Sequence, residues 1–291
     1  MKTVILDLDD SVRGLPDALR LKMHEWQEAV RFGCSWQTLR QFREQLAALL
    51  PAEHGAVLLG SGDFHHLSYL LLERQRQHHG LHVVVCDNHP DNMRFPFGIH
   101  CGSWVGHAAA LPHIARIDVV GISSEDAAWQ HAWENRWLPL YRGRVRYWTL
   151  GVASGWARGL AKDAARNFSD RQSLVAALSE ELAGSSAPLY LSLDKDVLHE
   201  SVARTNWDQG QLRLDDLLAI ITAARPRLVG CDICGEVSLH HYQTRWKRFL
   251  SALDKQPAIS PHDLAAWQQQ QLEVNKAILR TSLADDPADC D

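Results

Sequence analysis

Val83-Val84-Val85-Cys86-Asp87-Asn88-His89-Pro90-Asp91-Asn92 (VVVCDNHPDN) opens as an apolar run and breaks into Asp, His and Asp on alternate positions. A β-branched run this short, with polar residues directly after it, reads as a strand buried on both faces. Similar runs recur at residues 3–8, 56–60, 82–86, 117–122, 145–150, 189–193 and 228–231. Between them lie segments with helical periodicity, at 67–79, 125–137, 170–183 (with Ser169 as N-cap) and 214–224. Alternating strands and helices predict a mostly parallel sheet covered by helices on both faces. Residues 15–50 read as two helices inserted between the first two strands, and 263–283 as a long polar helix. The acidic tail 284–291 is expected to be disordered. With no Ser/Gly/Pro-rich linker and no internal repeat, residues 1–291 read as one domain.

The chain has 291 residues, 46% of them hydrophobic, which is ordinary for a globular protein with a full core. A formal charge of −5 offers no basic footprint for nucleic acid. The start of the chain has no signal-peptide character, and no apolar run reaches membrane-spanning length, so a cytoplasmic location is expected. The six cysteines show no disulfide framework. Cys231 and Cys234 have CxxC spacing but lack the second pair a zinc site needs, and they read as reduced thiols at a strand end.

In an open parallel sheet, ligands bind beyond the carboxyl ends of the strands. The second strand runs into Gly60-Ser61-Gly62-Asp63-Phe64-His65-His66, the third into Asp87-Asn88-His89-Pro90-Asp91. Later strands run into Ser192-Leu193-Asp194-Lys195-Asp196 and Asp232-Ile233-Cys234-Gly235-Glu236. In extended backbone, Asp87, His89 and Asp91 share one side, as do Asp194 and Asp196, while Lys195 points the other way toward some other carboxylate. Each motif alone reads as an Asx turn or a helix cap. Together they gather several carboxylates at one sheet edge, where burial without cations is costly. Oxygen and imidazole donors of this kind suit Mn²⁺, Fe²⁺ or Zn²⁺.

In order and spacing, GSGDFHH, DNHPD, SLDKD and GCDICGEVS resemble the metal and substrate motifs GGDHS, DAHxD, SxDxDxxDP and DxxEVNP of the arginase–deacetylase superfamily, on its ureohydrolase side. The resemblance implies a three-layer αβα fold with a mostly parallel, about eight-stranded sheet. It also implies a binuclear, usually manganese, centre whose bridging hydroxide hydrolyses a C–N bond of a guanidino compound. Asp87 and Asp194 match bridging ligands, and His89, Asp91 and Asp196 match terminal ones. The remaining ligand is left open among His65, which is favoured, His66 and Asp63. By the same resemblance Asp91 also holds the hydroxide, His100 shuttles a proton, and Glu236 holds a cationic small-molecule substrate; homo-oligomers are common in the family. Phe95, Phe97 and Trp104 are candidate pocket walls.

Some features depart from the family pattern. His199-Glu200 replaces the final Asp-Pro, one extra residue separates Asp232 from Glu236, and the loop 91–100 is short and lacks the pattern that receives an amino acid's α-groups. Free L-arginine is therefore poorly supported. The alternatives are an amide hydrolase or deacetylase of the same superfamily, or a metal-binding member without turnover. A third is a haloacid-dehalogenase-like phosphatase, because Asp7-Leu8-Asp9-Asp10-Ser11-Val12 resembles that family's DxDx[TV] signature.

Overall fold

The computed structural model describes residues 1–253 and 259–283. Its strands are β1 (Val4–Asp7), β2 (Leu19–Lys22), β3 (Gly33–Cys34), β4 (Val57–Leu58), β5 (Leu81–Cys86), β6 (Ile99–His100), β7 (Ile114–Ile122), β8 (Val145–Leu150), β9 (Ala165–Phe168), β10 (Leu189–Asp194) and β11 (Leu228–Cys234). Nine of them form one sheet in the order β2-β1-β4-β11-β10-β5-β7-β8-β9. Every pairing in it is parallel. The short β3 and β6 pair antiparallel beside it.

The apolar runs form strands because both faces are covered. Along β5, Val83 and Val85 join one core cluster while Val84 and Cys86 join the other. Leu39 and Phe42 of helix Trp36–Leu49 lie in the first cluster. Leu174 and Leu178 of helix Arg171–Ala183, with Leu217 and Ile221 of helix Leu214–Ala224, lie in the second. The expected three-layer α/β architecture is present, with nine strands where about eight were expected.

Three local expectations are corrected. The segment 15–50 is not simply two helices: it begins with β2, whose Leu-Arg-Leu-Lys alternation lets Leu21 bury while the strand pairs with β1. β9 extends the sheet beyond the seven runs visible in the sequence. The helix expected over 125–137 is broken into 3₁₀ turns at Glu125–Ala127 and Trp129–His131. Ser124 Oγ caps the first turn, and Asn135 Nδ2 ties the loop together by donating to the carbonyls of Asp126 and His131. The tail from residue 284 onward lies outside the described residues. Among the described residues no helix is long and apolar enough to cross a membrane.

Register places the site. Leu193 of β10 pairs with Cys86 of β5, so Asp194 and Asp87 leave the sheet together. On the other side Asp194 pairs with Cys234 of β11.

Candidate metal centre

Asp87 and Asp194 begin the same local turn. Asp87 Oδ1 accepts the His89 backbone N–H at 2.6 Å, and Asp194 Oδ1 accepts that of Asp196 at 3.0 Å. Both motifs are thus Asx turns as well as ligand sets. The residues converge through these turns rather than by strand alternation, because β5 ends at Cys86 and Lys195–Val197 is a 3₁₀ turn. Asp91 takes a left-handed backbone, φ 46°, which brings its carboxylate back over the floor. Asn88 N–H donates to Asp196 Oδ1 at 3.0 Å and stitches the two turns together.

The side chains form two clusters. His65 Nδ1 lies 3.1 Å from Asp87 Oδ2, 3.0 Å from Asp91 Oδ2 and 3.6 Å from Asp194 Oδ2. His89 Nδ1 lies 2.9 Å from Asp196 Oδ2 and 3.5 Å from Asp87 Oδ1. Asp87 belongs to both groups, one with His65 and Asp91, the other with His89 and Asp196. His65 Nδ1 and Asp87 Oδ2 are buried and make no hydrogen bond despite their proximity. Two orphaned donor atoms facing each other fit a divalent cation between them.

The atoms behind the imidazoles fix their tautomers. Ser192 Oγ donates to Asp232 Oδ1 at 2.8 Å, so it accepts from His65 Nε2 at 3.0 Å and leaves Nδ1 as a lone pair toward the cluster. Asp208 Oδ1 sits 2.8 Å from His89 Nε2 and orients that ring in the same way. Trp104 Nε1–H donates to Asp91 Oδ2 at 2.7 Å, so Trp104 positions a carboxylate rather than walling the pocket. Cys234 Sγ touches Asp194 Oδ2 at 3.1 Å.

The electrostatics strain against four ionised carboxylates. Burial and the neighbouring Asp87 push Asp91 up to about 7. Burial, Asp194 and Asp87 raise Asp196 well above the usual carboxylate range. Asp87 is held well below that range: burial opposes its charge, but His65 and His89 outweigh it. Carboxylates this close share protons or a cation.

His66 and Asp63 do not join the cluster. His66 is buried with neither ring nitrogen hydrogen-bonded, and burial lowers its pKa well below the ordinary value. Asp63 is held by Arg31 Nε at 2.7 Å and Trp207 Nε1 at 3.2 Å. Glu236, expected at the substrate, instead accepts hydrogen bonds from the buried Lys195 ammonium and from Asn275 Nδ2. Its carboxylate is consumed there. The aspartates of the phosphatase-like motif are also engaged, Asp7 with Arg20 at 3.0 Å and Asp9 with Ser11 Oγ at 2.6 Å.

The cluster forms the floor of a cavity of about 900 Å³ that His100, Phe95 and Phe97 also line. His100 Nδ1 accepts the Gly102 N–H at 3.0 Å. Burial, with His107 and Arg136 nearby, lowers its pKa to about 4. Ser192, Asp208, Trp207 and Phe32 were not singled out beforehand. Ser192 lay inside a quoted motif, but Trp207 and Asp208 sit in an irregular loop whose sequence has no periodic signal.

A parallel sheet covered by helices on both faces, with two imidazole–carboxylate clusters sharing Asp87 at its carboxyl edge, defines a three-layer α/β protein. The sequence matches the arginase family over residues 16–243, and the chain belongs to that family. It is 29% identical over 205 residues to an uncharacterized protein of Thermotoga maritima, covering 70% of this chain and 67% of that one. The fold superimposes on arginase from Bacillus subtilis with TM-score 0.59 at 10% identity, covering 99% of both chains. It also superimposes on proclavaminate amidino hydrolase from Streptomyces clavuligerus, with TM-score 0.56 at 17% identity over 97% of this chain and 92% of that one.

Proposed function

We propose that this protein is a binuclear metal-dependent hydrolase of C–N bonds other than peptide bonds, acting on an amidino-type small molecule. The observation that carries the reading is the pair of clusters sharing Asp87 on the cavity floor. His65, Asp87 and Asp91 would hold one divalent ion and Asp87, His89 and Asp196 the other, with Asp194 beside both, Mn²⁺ being the first candidate and Fe²⁺ or Zn²⁺ the others. When bound, such ions lower the pKa of water enough to supply hydroxide near neutral pH and polarise the carbon under attack.

The chain's own groups do the rest. Ser192 and Asp208 keep the two imidazoles in the ligating tautomer. The Trp104 indole holds Asp91 in place. Burial lowers the His100 pKa to about 4, and because Nδ1 accepts the Gly102 N–H the neutral ring carries its proton on Nε2. That N–H offers a hydrogen-bond donor on the cavity wall for the substrate's leaving group. The engagement of Glu236 by Lys195 favours a second reading, hydrolysis of a neutral amide, because the carboxylate expected to hold a guanidinium is bound to an ammonium instead.

The test is metal analysis after reconstitution with Mn²⁺. Two equivalents per chain are expected in the native protein and loss of both in Asp87→Asn. Fewer than one equivalent in the native protein, or unchanged retention in the variant, overturns the binuclear reading. Release of urea or ammonia from guanidines, against release of carboxylate from amides, separates the two substrate classes.

A further inference from the structure

We infer that the substrate of this site carries its reacting C–N group on an apolar, preferentially aromatic body without a carboxylate, seated in a collar of rings above the floor. This rests on the hydrolase reading for the reacting group, but the collar has its own geometry. The Phe32 ring stacks against His100 on one side, centroids 6.1 Å apart and 11° between planes, and against Trp207 on the other at 6.2 Å and 21°. Trp246 closes the ring by touching Phe32 at 6.4 Å and Phe95 at 6.3 Å. Phe95 meets His100 edge-on at 4.5 Å. All five line the cavity that ends on the metal cluster.

At the mouth the aromatic surface continues into solvent. Phe97 is 79% exposed, Phe249 65% and Trp246 40%. Clustered apolar exposure around one opening marks a binding groove rather than ordinary surface. The backbone points the same way. Phe32 holds φ 66°, a left-handed conformation that bulky residues avoid. It is kept there by its N–H to Asp63 O at 2.9 Å and by the Cys101 N–H to its own carbonyl at 3.0 Å. A glycine would adopt this backbone without strain, yet the position carries a large ring aimed at the cavity, which is strain of the kind stored at ligand sites.

Charge excludes an anionic body. Arg94 is the one Lys or Arg among the lining residues. Its Nε donates to Asn135 O at 3.1 Å and its guanidinium lies over Trp137, 5.4 Å from the ring centre. The wall's other fixed charges include Asp126 and Glu134. A carboxylate entering here leaves water and passes two acids, with Arg94, already held by Asn135 and Trp137, the one fixed cation on the wall.

Isothermal titration calorimetry on the Mn²⁺-reconstituted protein tests this, with 2-phenylethylguanidine, methylguanidine and 4-guanidinobutyrate, and with the neutral pair 2-phenylethylurea and methylurea. In at least one charge class, the phenylethyl compound is expected to bind roughly thirtyfold tighter than its methyl counterpart, the worth of burying one phenyl ring. 4-Guanidinobutyrate is expected to bind more weakly than 2-phenylethylguanidine. Phe95→Ala, at a half-buried position, should erase most of the preference by weakening the phenylethyl compound far more than the methyl one; Phe32→Leu should reduce it. Equal affinity of phenylethyl and methyl compounds in both classes, tightest binding by 4-guanidinobutyrate, or a preference that survives both substitutions overturns the collar. Should the preference appear while no guanidine or amide is hydrolysed, the collar stands and the hydrolase reading falls. Should methylguanidine be hydrolysed while no preference appears, the reverse holds.

Discussion

Lys195 sits between Asp194 and Asp196, yet its ammonium leaves them and meets the Glu236 carboxylate and Asn275 Oδ1, the latter at 3.0 Å. Strand alternation predicted this direction, but the 3₁₀ turn over Lys195–Val197 is what produces it. Its partner was not legible, since Glu236 lies on another strand end and its orientation depends on the chain reversal at Gly235. There φ is +82°, and a Cβ would stand 2.4 Å from Asp194 Oδ1, so only glycine fits between the ligand and the turn. The side chains of the pair are 0% and 2% exposed. Removing one partner strands a buried charge, so Lys195→Met should destabilise the fold by about 3–5 kcal/mol in urea unfolding. The double variant Lys195→Met/Glu236→Gln should regain most of that loss. Two single losses that simply add would mean the residues do not act as a pair.

At the scale of strands and helices, the two ends of the sheet handle charge in opposite ways. At the carboxyl edge four carboxylates crowd together around two imidazoles, whereas toward the amino end carboxylates are matched by arginines. Asp118 of β7 is fully buried and accepts from His82 Nε2 of β5 at 2.6 Å and from Arg146 Nε of β8 at 2.6 Å. Arg146 Nη2 at 2.9 Å, Arg116 Nε at 3.1 Å and the Trp148 indole at 3.2 Å add further contacts. Burial alone would raise this carboxyl, but His82 and Arg146 hold it far below the usual range. A depressed native pKa stabilises the fold above the unfolded value of about 3.9 and loses that effect as pH falls through the native value. Asp118→Asn should therefore cost about 3 kcal/mol at pH 7. The gap from the parent, followed by urea midpoints, should stay constant down to about pH 5 and narrow only below about pH 4. A gap that instead widens on acidification would show that Asp118 gains no stability from its ionised form. None of this network was visible in the sequence, because parallel neighbours come from distant parts of the chain. The strands themselves were readable, since each is an apolar run covered on both faces; β2 was missed because edge strands need only half as much apolar sequence.

For the whole molecule, the fold class and the residues Asp87, His89, Asp91, Asp194 and Asp196 were legible as two motifs. The collar was not, because Phe32, Phe95, Trp207 and Trp246 come from separate segments and no single one has a pattern. The floor also couples metal to global stability. Four carboxylates converge there, with Arg94 the one Lys or Arg lining the cavity, so cation removal should leave the native state self-repelling. A chelator should lower the melting temperature by several degrees, and excess Mn²⁺ should restore it, since saturation a hundredfold above Kd stabilises by about 2.7 kcal/mol. Identical melting curves with and without chelator would separate the site from the fold's stability. The order of the strands also sets a timetable. His89 and Asp196 touch although 107 residues separate them in the chain, and β10 is inserted between β5 and β11. A nascent chain that has emerged only through β9 holds the first half of the cluster beside an empty lane in the sheet. Any capture of cations by the proposed centre would therefore belong to the last third of synthesis, set by chain connectivity rather than ligand chemistry.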